Sequence, residues 1–335
     1  MIKIGVIGVG YWGPNLIRNF FENCDFDMFI CADVKQKRLE LIKNKYPGLE
    51  VTKDYKKILN NPQIHAVAIC TPVYSHYEIA KDALKAGKHV LIEKPMTSTS
   101  AQSIELVELA EKSNLTLMVD HTFIYTGAVQ LIKQIVKGGE IGDLYYFDSV
   151  RINLGLFQHD INVIWDLAPH DISIMDHVIN KPPEAVVATG VDHIGNGLED
   201  VAYLTIYYPD NVIAHIHANW LSPVKIRQTL IAGKKKMVVW DDNQSTEKIK
   251  IYDTGIVVNK TDTEIYDTLI QYRTGDMYAP KVPNKEALAD EVSHFAACIK
   301  NNEKPITDGT AGLNVVKILE ASEKSIKARG KEIKL

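Results

Sequence analysis

Long apolar runs are missing from these 335 residues, and so is a marked excess of either charge. No stretch approaches the roughly 18 apolar residues of a membrane-spanning helix, so no membrane partner is expected. The 38 Lys and Arg residues against 42 Asp and Glu leave a formal charge of −4. That balance gives no electrostatic reason to bind nucleic acid. The short basic clusters Lys234-Lys235-Lys236 and Lys53–Lys57 read as solvated loop or helix faces. Cysteine is scarce: four residues, at positions 24, 31, 70 and 298, show no paired spacing. They exclude a disulfide frame and a thiolate zinc site, and no metal is expected. Internal repeats and low-complexity segments are absent as well. The amino terminus enters a strand-like run at once, with no room for a signal peptide, so a cytoplasmic location is expected.

What remains is an ordinary globular composition, 46% hydrophobic and 24% charged, on a chain long enough for two domains. Up to about residue 122, strand-like runs (Ile2–Ile7, Phe26–Asp33, Ala66–Thr71, His89–Glu93, Thr116–Val119) alternate with helix-like ones. Alternation of this kind implies crossover connections and a parallel sheet covered on both faces. Beyond it a helix at Gly127–Lys137 is followed by long alternating strands from Leu144 to Trp240. In Val212–Trp220, His215, His217 and Asn219 share one face and apolar residues the other, the pattern of an antiparallel sheet with one wetter face. Thr261–Asn284 reads as a polar loop, and helices at Lys285–Lys300 and Thr310–Ala328 close the chain. The expected domains are therefore 1–122, nucleotide-binding, and 123–335, substrate-binding.

Gly8-Val9-Gly10-Tyr11-Trp12-Gly13 is the most informative stretch. It ends the first strand and opens a helix, and Asp33 stands twenty residues further on, the context a dinucleotide site requires. Gly8 permits the tight turn, Gly10 admits a pyrophosphate, and Gly13 lets helix and strand pack closely. Tyr11 and Trp12 are expected at the cofactor with them. Asp33 suits the adenosine ribose and repels a 2′-phosphate, which favours NAD; a helix cap is its alternative role. Lys35, Lys37 and Arg38 nearby could tolerate such a phosphate, so NADP stays open as the second choice.

Two more strand ends meet the same sheet edge, where open parallel sheets bind ligands. Cys70-Thr71-Pro72-Val73-Tyr74-Ser75-His76 supplies Thr71, Pro72 and His76; without the glycine motif it would pass for a plain connection. Glu93-Lys94-Pro95 ends the next strand. A lysine there could anchor and polarise a substrate hydroxyl, or simply be solvated, and Pro95 permits a cis bond that would aim Lys94. The last element is Trp165-Asp166-Leu167-Ala168-Pro169-His170-Asp171. Pro169 suits a first helical turn, so a helix is expected at Pro169–Ile179. Asp166, four residues before His170, can meet it across one turn. Histidine is the usual general base for an alcohol proton, and a neighbouring carboxylate holds its tautomer. The bland alternative is a capping Asp beside a bystander His. His159-Asp160 is the nearest rival pair; His121, His177 and His193 read as structural or exposed.

In this order and spacing the motifs resemble the glucose–fructose oxidoreductase / inositol dehydrogenase / MocA (Gfo/Idh/MocA) family over nearly the whole chain, extending to Asp308-Gly309 before the final helix. The resemblance implies an α/β fold: a Rossmann doubly wound parallel sheet, then an α/β domain with an open, mostly antiparallel sheet. It implies hydride transfer between NAD and a ring hydroxyl of a sugar or cyclitol, with Lys94 and His170 as catalytic pair and Asp166 in support. It also implies a homodimer or homotetramer formed through the open sheet face. Gly10–Leu16 and Asn153–Gln158 through Asp166 look like the narrower branch that oxidises C3 of UDP-N-acetylglucosamine or a relative. In that reading the polar loop Asn153–Asn162 reaches the substrate, with Arg151, Gln158 and Asn162 as contacts. A free-sugar or inositol dehydrogenase, a ketosugar reductase, and a non-catalytic NAD-responsive binding protein are the competing expectations.

Overall fold

The computed structural model describes residues 1–155, 161–259 and 269–335. The chain forms two compact units. The first begins with β1 (Ile2–Ile7), α1 (Gly13–Glu22), β2 (Phe26–Ala32), α2 (Gln36–Lys45), β3 (Glu50–Thr52) and α3 (Lys56–Leu59). It continues with β4 (Ala66–Ile69), α4 (Val73–Lys85), β5 (His89–Glu93), α5 (Ser100–Ser113) and β6 (Leu117–Asp120), then a 3₁₀ turn, Thr122–Tyr125. All six strands are parallel, in the order β3-β2-β1-β4-β5-β6. β4 is buried at every residue, and the near-continuous apolar runs are what a sheet covered on both faces needs. The order reverses between β1 and β4, so the crevice at their carboxyl ends is the topological switch point. The glycine loop and Thr71-Pro72 both lie there. Gly87 takes the left-handed conformation (φ 73°) that ends α4.

The second unit holds α6 (Gly127–Lys137), β7 (Leu144–Ile152), α7 (Val163–Ile179), β8 (Ala185–Val191), β9 (Val201–Tyr207), β10 (Ile213–Asn219) and β11 (Ile226–Gly233). β12 (Met237–Asp241), β13 (Ile249–Tyr252), β14 (Gly255–Asn259), β15 (Leu269–Arg273) and β16 (Met277–Tyr278) follow. Among the described residues, all of these strands except β14 and β15, together with β17 (Ile333–Lys334) at one edge, form one nine-stranded sheet, antiparallel except for the β7–β10 pair. α7 packs on β7, β9 and β10. In β10, Ala214, Ile216 and Ala218 turn inward while His215, His217 and Asn219 stay partly exposed, as their alternation requires. The segment expected to be a loop, Thr261–Asn284, contains β15 and β16; residues 260–268 lie outside the described part. β15 pairs with the preceding β14 in a separate two-stranded sheet and β16 is two residues long, and strands this short carry little local signal.

Chain order assigns everything after residue 122 to one domain, but the end of the chain is divided. α8 (Ala287–Asn301) and most of α9 (Gly309–Lys327) belong to the first unit, which also takes in residues 285–320. Phe295 stacks on Phe26 with ring centroids 6.1 Å apart. The Val119 N–H donates to the Thr307 carbonyl at 2.8 Å, and the Thr307 hydroxyl donates back to the Val119 carbonyl. Residues 321–335 belong to the second unit, where Ser325 bonds Ala188 and β17 (Ile333–Lys334) pairs with β8. Which unit a helix joins is decided by the apolar surface that fits its own, and no local signal records that.

Candidate active site

In the first unit the glycine loop is shaped by three different constraints. Gly8 has φ 96°, and a Cβ there would lie 2.6 Å from the Cys70 carbonyl oxygen. A Cβ on Gly13 would sit 2.3 Å from the Gly8 carbonyl oxygen. Gly10 differs: its φ is unexceptional, and a Cβ would meet only the Arg38 guanidinium, at 3.6 Å. Neither backbone nor packing demands a glycine at position 10, so the space it leaves is room for a ligand. No side chain caps the start of α1, as an anion-binding helix end requires. Asp33 is buried; its Oδ2 accepts from the Val9 N–H (2.8 Å) and its Oδ1 from the Lys35 N–H (2.8 Å). Arg38 lies 3.3 Å from Oδ2. The local bonds show Asp33 also serving as the turn's brace, with lone pairs left for ribose hydroxyls. These features fit a dinucleotide.

Three side chains beside this loop have surroundings that the sequence does not show. His76, expected at the cofactor, is buried, with Nδ1 2.9 Å from the Pro95 carbonyl oxygen and Nε2 2.7 Å from that of Thr71. Burial lowers its pKa, against the pull of the two carbonyls. It braces one strand end against the next and so positions the Lys94 turn, where the Lys94–Pro95 peptide is cis. Trp12 donates its indole N–H to Asp120 Oδ2 at 2.7 Å, which ties the loop tip to the end of β6. His121, read as a structural histidine, is buried beside Lys94 with neither ring nitrogen hydrogen-bonded, and burial pushes its pKa down to about 3. Asp120-His121, directly after an apolar run, was the available signal for this edge.

In the second unit α7 starts at Val163, six residues before the expected start, and Pro169 lies inside it. Pro169 has no N–H, so the Trp165 carbonyl loses its i+4 donor; burial of the helix outweighs the loss. Asn162, expected to touch substrate, is instead the N-cap: its Oδ1 accepts from the Trp165 N–H and its Nδ2 donates to Glu199 Oε2 at 2.7 Å. Arg151, also expected to touch substrate, is buried at 4% side-chain exposure and bridges Asp171 through Nε at 2.6 Å and Nη2 at 3.2 Å. Its register partner is Arg227, and Ser149 also donates to Asp171. A pair this enclosed holds α7 to the sheet; losing one partner costs about 3–5 kcal/mol. Gln158 lies outside the described residues, as do His159 and Asp160.

Asp166 keeps its place near the start of α7, and Oδ2 accepts from the Trp220 indole at 3.1 Å. The Gly155 N–H donates to the Trp220 carbonyl, and a Cβ on Gly155 would strike the Trp220 ring at 2.8 Å. Gly155, Trp220 and Asp166 are thus one cluster, with His170 a turn further along the helix. Trp220 was not singled out in the sequence, because it follows β10 and meets α7 only in the fold. Among the described residues no group of three or more His, Cys, Asp or Glu side chains could hold a metal. Among the same residues no helix is long and apolar enough to cross a membrane.

Two family descriptions match the chain: an oxidoreductase family with an NAD-binding Rossmann fold over residues 2–121, and the GFO/IDH/MocA C-terminal domain over residues 129–239. The chain belongs to the Gfo/Idh/MocA oxidoreductases. It is 24% identical to UDP-N-acetylglucosamine 3-dehydrogenase of Acidithiobacillus ferrooxidans over 94% of each chain. It is 22% identical to myo-inositol 2-dehydrogenase of Thermotoga maritima, over 98% of this chain and 97% of that protein. Among solved structures, the Acidithiobacillus enzyme GnnA superposes with a TM-score of 0.82 over 98% of both chains, at 22% identity. Levoglucosan dehydrogenase in complex with NADH and L-sorbose gives 0.83 over 99% and 98%, at 19% identity. The protein is therefore an NAD-dependent oxidoreductase of this fold.

Proposed function

We propose that the protein transfers a hydride between NAD and a ring hydroxyl of a sugar, at C3 of a nucleotide-activated amino sugar such as UDP-N-acetylglucosamine. The observation that carries the reading is Lys94: a cationic side chain at the carboxyl end of β5, on the sheet edge that also carries the glycine loop, and braced through Pro95 by His76. NAD supplies the hydride acceptor. Lys94 binds the oxygen of the reacting hydroxyl and stabilises the charge that grows on it as the proton leaves. His170 takes that proton, and Asp166, itself oriented by Trp220, supports the imidazolium that results. Positioning of the reacting hydroxyl accounts for most of the acceleration. The likeness to UDP-N-acetylglucosamine 3-dehydrogenase supports the nucleotide sugar; the likeness to myo-inositol 2-dehydrogenase keeps a cyclitol or free sugar as the second reading.

Incubating the protein with NAD and a panel of nucleotide sugars, free sugars and cyclitols, while following NADH absorbance, tests this. Activity confined to UDP-amino sugars is expected. Turnover of unactivated sugars alone would reverse the order of the two readings, and no turnover with tight NAD binding would favour a binding protein. Self-association belongs to the same proposal, and so does a cytoplasmic location. Val191, Tyr203, Tyr207 and Ile213 are exposed on the sheet face away from α7, with Tyr203 stacked on His217 at 4.3 Å. Light scattering should find a dimer or tetramer; a monomer at micromolar concentration would remove this part.

A further inference from the structure

Glu291 sits on α8, within the first unit, and its side chain is completely buried. Its carboxyl faces Asp120 and the Thr122 hydroxyl, with Glu93 close enough to be felt. Asp120 is itself buried, and both of its oxygens are already acceptors: Oδ2 from the Trp12 indole at 2.7 Å, Oδ1 from the Thr122 hydroxyl. If both carboxyls were ionised, two acceptors would face each other out of contact with water, and neither Glu291 oxygen would have a donor. One proton on Glu291 turns that repulsion into a hydrogen bond to Asp120.

We propose that Glu291 is a positioning residue for cofactor binding, the buried far end of a Glu291–Asp120–Trp12 chain that sets where the tip of the glycine loop lies. Trp12 is part of the loop that receives the cofactor, and its one polar handle ends on Asp120. Asp120 keeps its orientation because Thr122 and the Glu291 proton hold it from the other side. Burial and the Asp120 charge both raise the Glu291 pKa well above the carboxylate range, which favours the protonated form. The other groups facing the pair are Glu93 from β5 and Tyr125 from the 3₁₀ turn, with His294 and Cys298 on the same helix as Glu291. Tyr125 and Cys298 carry no positive charge in any state, and burial lowers the pKa of His294, so none of the three offers a cation that would hold Glu291 ionised.

The test follows the Trp12 indole N–H resonance in the protein without cofactor, assigned with Trp12→Phe, and NAD affinity by calorimetry, both from neutral to alkaline pH. In the wild type the resonance should move and NAD binding weaken as Glu291 loses its proton. Glu291→Gln keeps a donor toward Asp120; it should bind NAD as the wild type does at neutral pH and show neither alkaline change. Glu291→Leu removes the donor and should weaken NAD binding about tenfold at neutral pH. Identical alkaline profiles in the wild type and Glu291→Gln would overturn the proposal, as would wild-type NAD affinity in a folded Glu291→Leu. If the leucine variant does not fold, the glutamine profiles decide alone. None of these readings involves the sugar, so the outcome is independent of the substrate.

Discussion

Individual side chains divide the work between chemistry and space. Lys94→Ala and His170→Ala should leave NAD binding intact while kcat falls roughly 10²–10⁴-fold, the usual worth of a positioned proton-transfer group. Steady-state kinetics beside calorimetry would separate the two quantities; normal turnover in both variants would remove the catalytic assignment. The glycines allow a sharper comparison. Gly8→Ala must place a Cβ against the Cys70 carbonyl at φ 96°, which costs about 1–2 kcal/mol for the left-handed backbone alone and should lower the melting temperature of the protein without cofactor. Gly10→Ala meets no such obstacle, so that melting temperature should stay put while NAD affinity drops. Equal NAD affinity in Gly10→Ala and wild type would mean the space at position 10 is not the cofactor's.

At the scale of elements, the motifs sit on strand ends and helix starts, and their partners come from elsewhere. His76 shows this. It stands on α4, yet its ring joins the Thr71 and Pro95 carbonyls and thereby couples the end of β4 to the turn after β5. His76→Phe fills much of the same volume without either bond. Its kcat should fall roughly 10²-fold through a displaced Lys94, with a much smaller loss of NAD affinity. A wild-type kcat would show that the turn holds its shape unaided. Spacing alone drew the eye to His76 and brought it to the right neighbourhood; the error was in its role, because a buried ring with two carbonyl partners cannot be told from a ligand-facing one in sequence. α7 is the opposite case. Pro169 argued for a helix start, but a helix buried along its length tolerates an interior proline, and Asn162, read as a substrate contact, supplies the cap.

For the molecule as a whole, two histidines that the fold holds away from water, His121 buried and His177 half-buried, are expected to weigh on the acid side of stability. Burial pushes His121 down to about 3 and His177 to about 4. In the unfolded chain both titrate near an unperturbed value of about 6.5. Below that value the unfolded state binds protons that the native state refuses, so stability should be full above it and decline as pH falls toward 3–4. His121→Gln should flatten the decline in melting temperature across that window, and an unchanged slope would show that other groups govern it. The four thiols take no part in this balance as covalent links: all are free, with Cys24 exposed and Cys31 and Cys298 buried.

The parallel sheet, the glycine loop and the strand ends bearing Thr71 and Lys94 were determined by sequence alone, because apolar periodicity and turn chemistry act over a few neighbouring residues. Only the folded chain decided that α8 would lie against β2 and the 3₁₀ turn, that Arg151 would close on Asp171, and that Trp12, Asp120 and Glu291 would meet. Those outcomes depend on which distant surfaces exclude water together, and on where a charge can find a partner once they do.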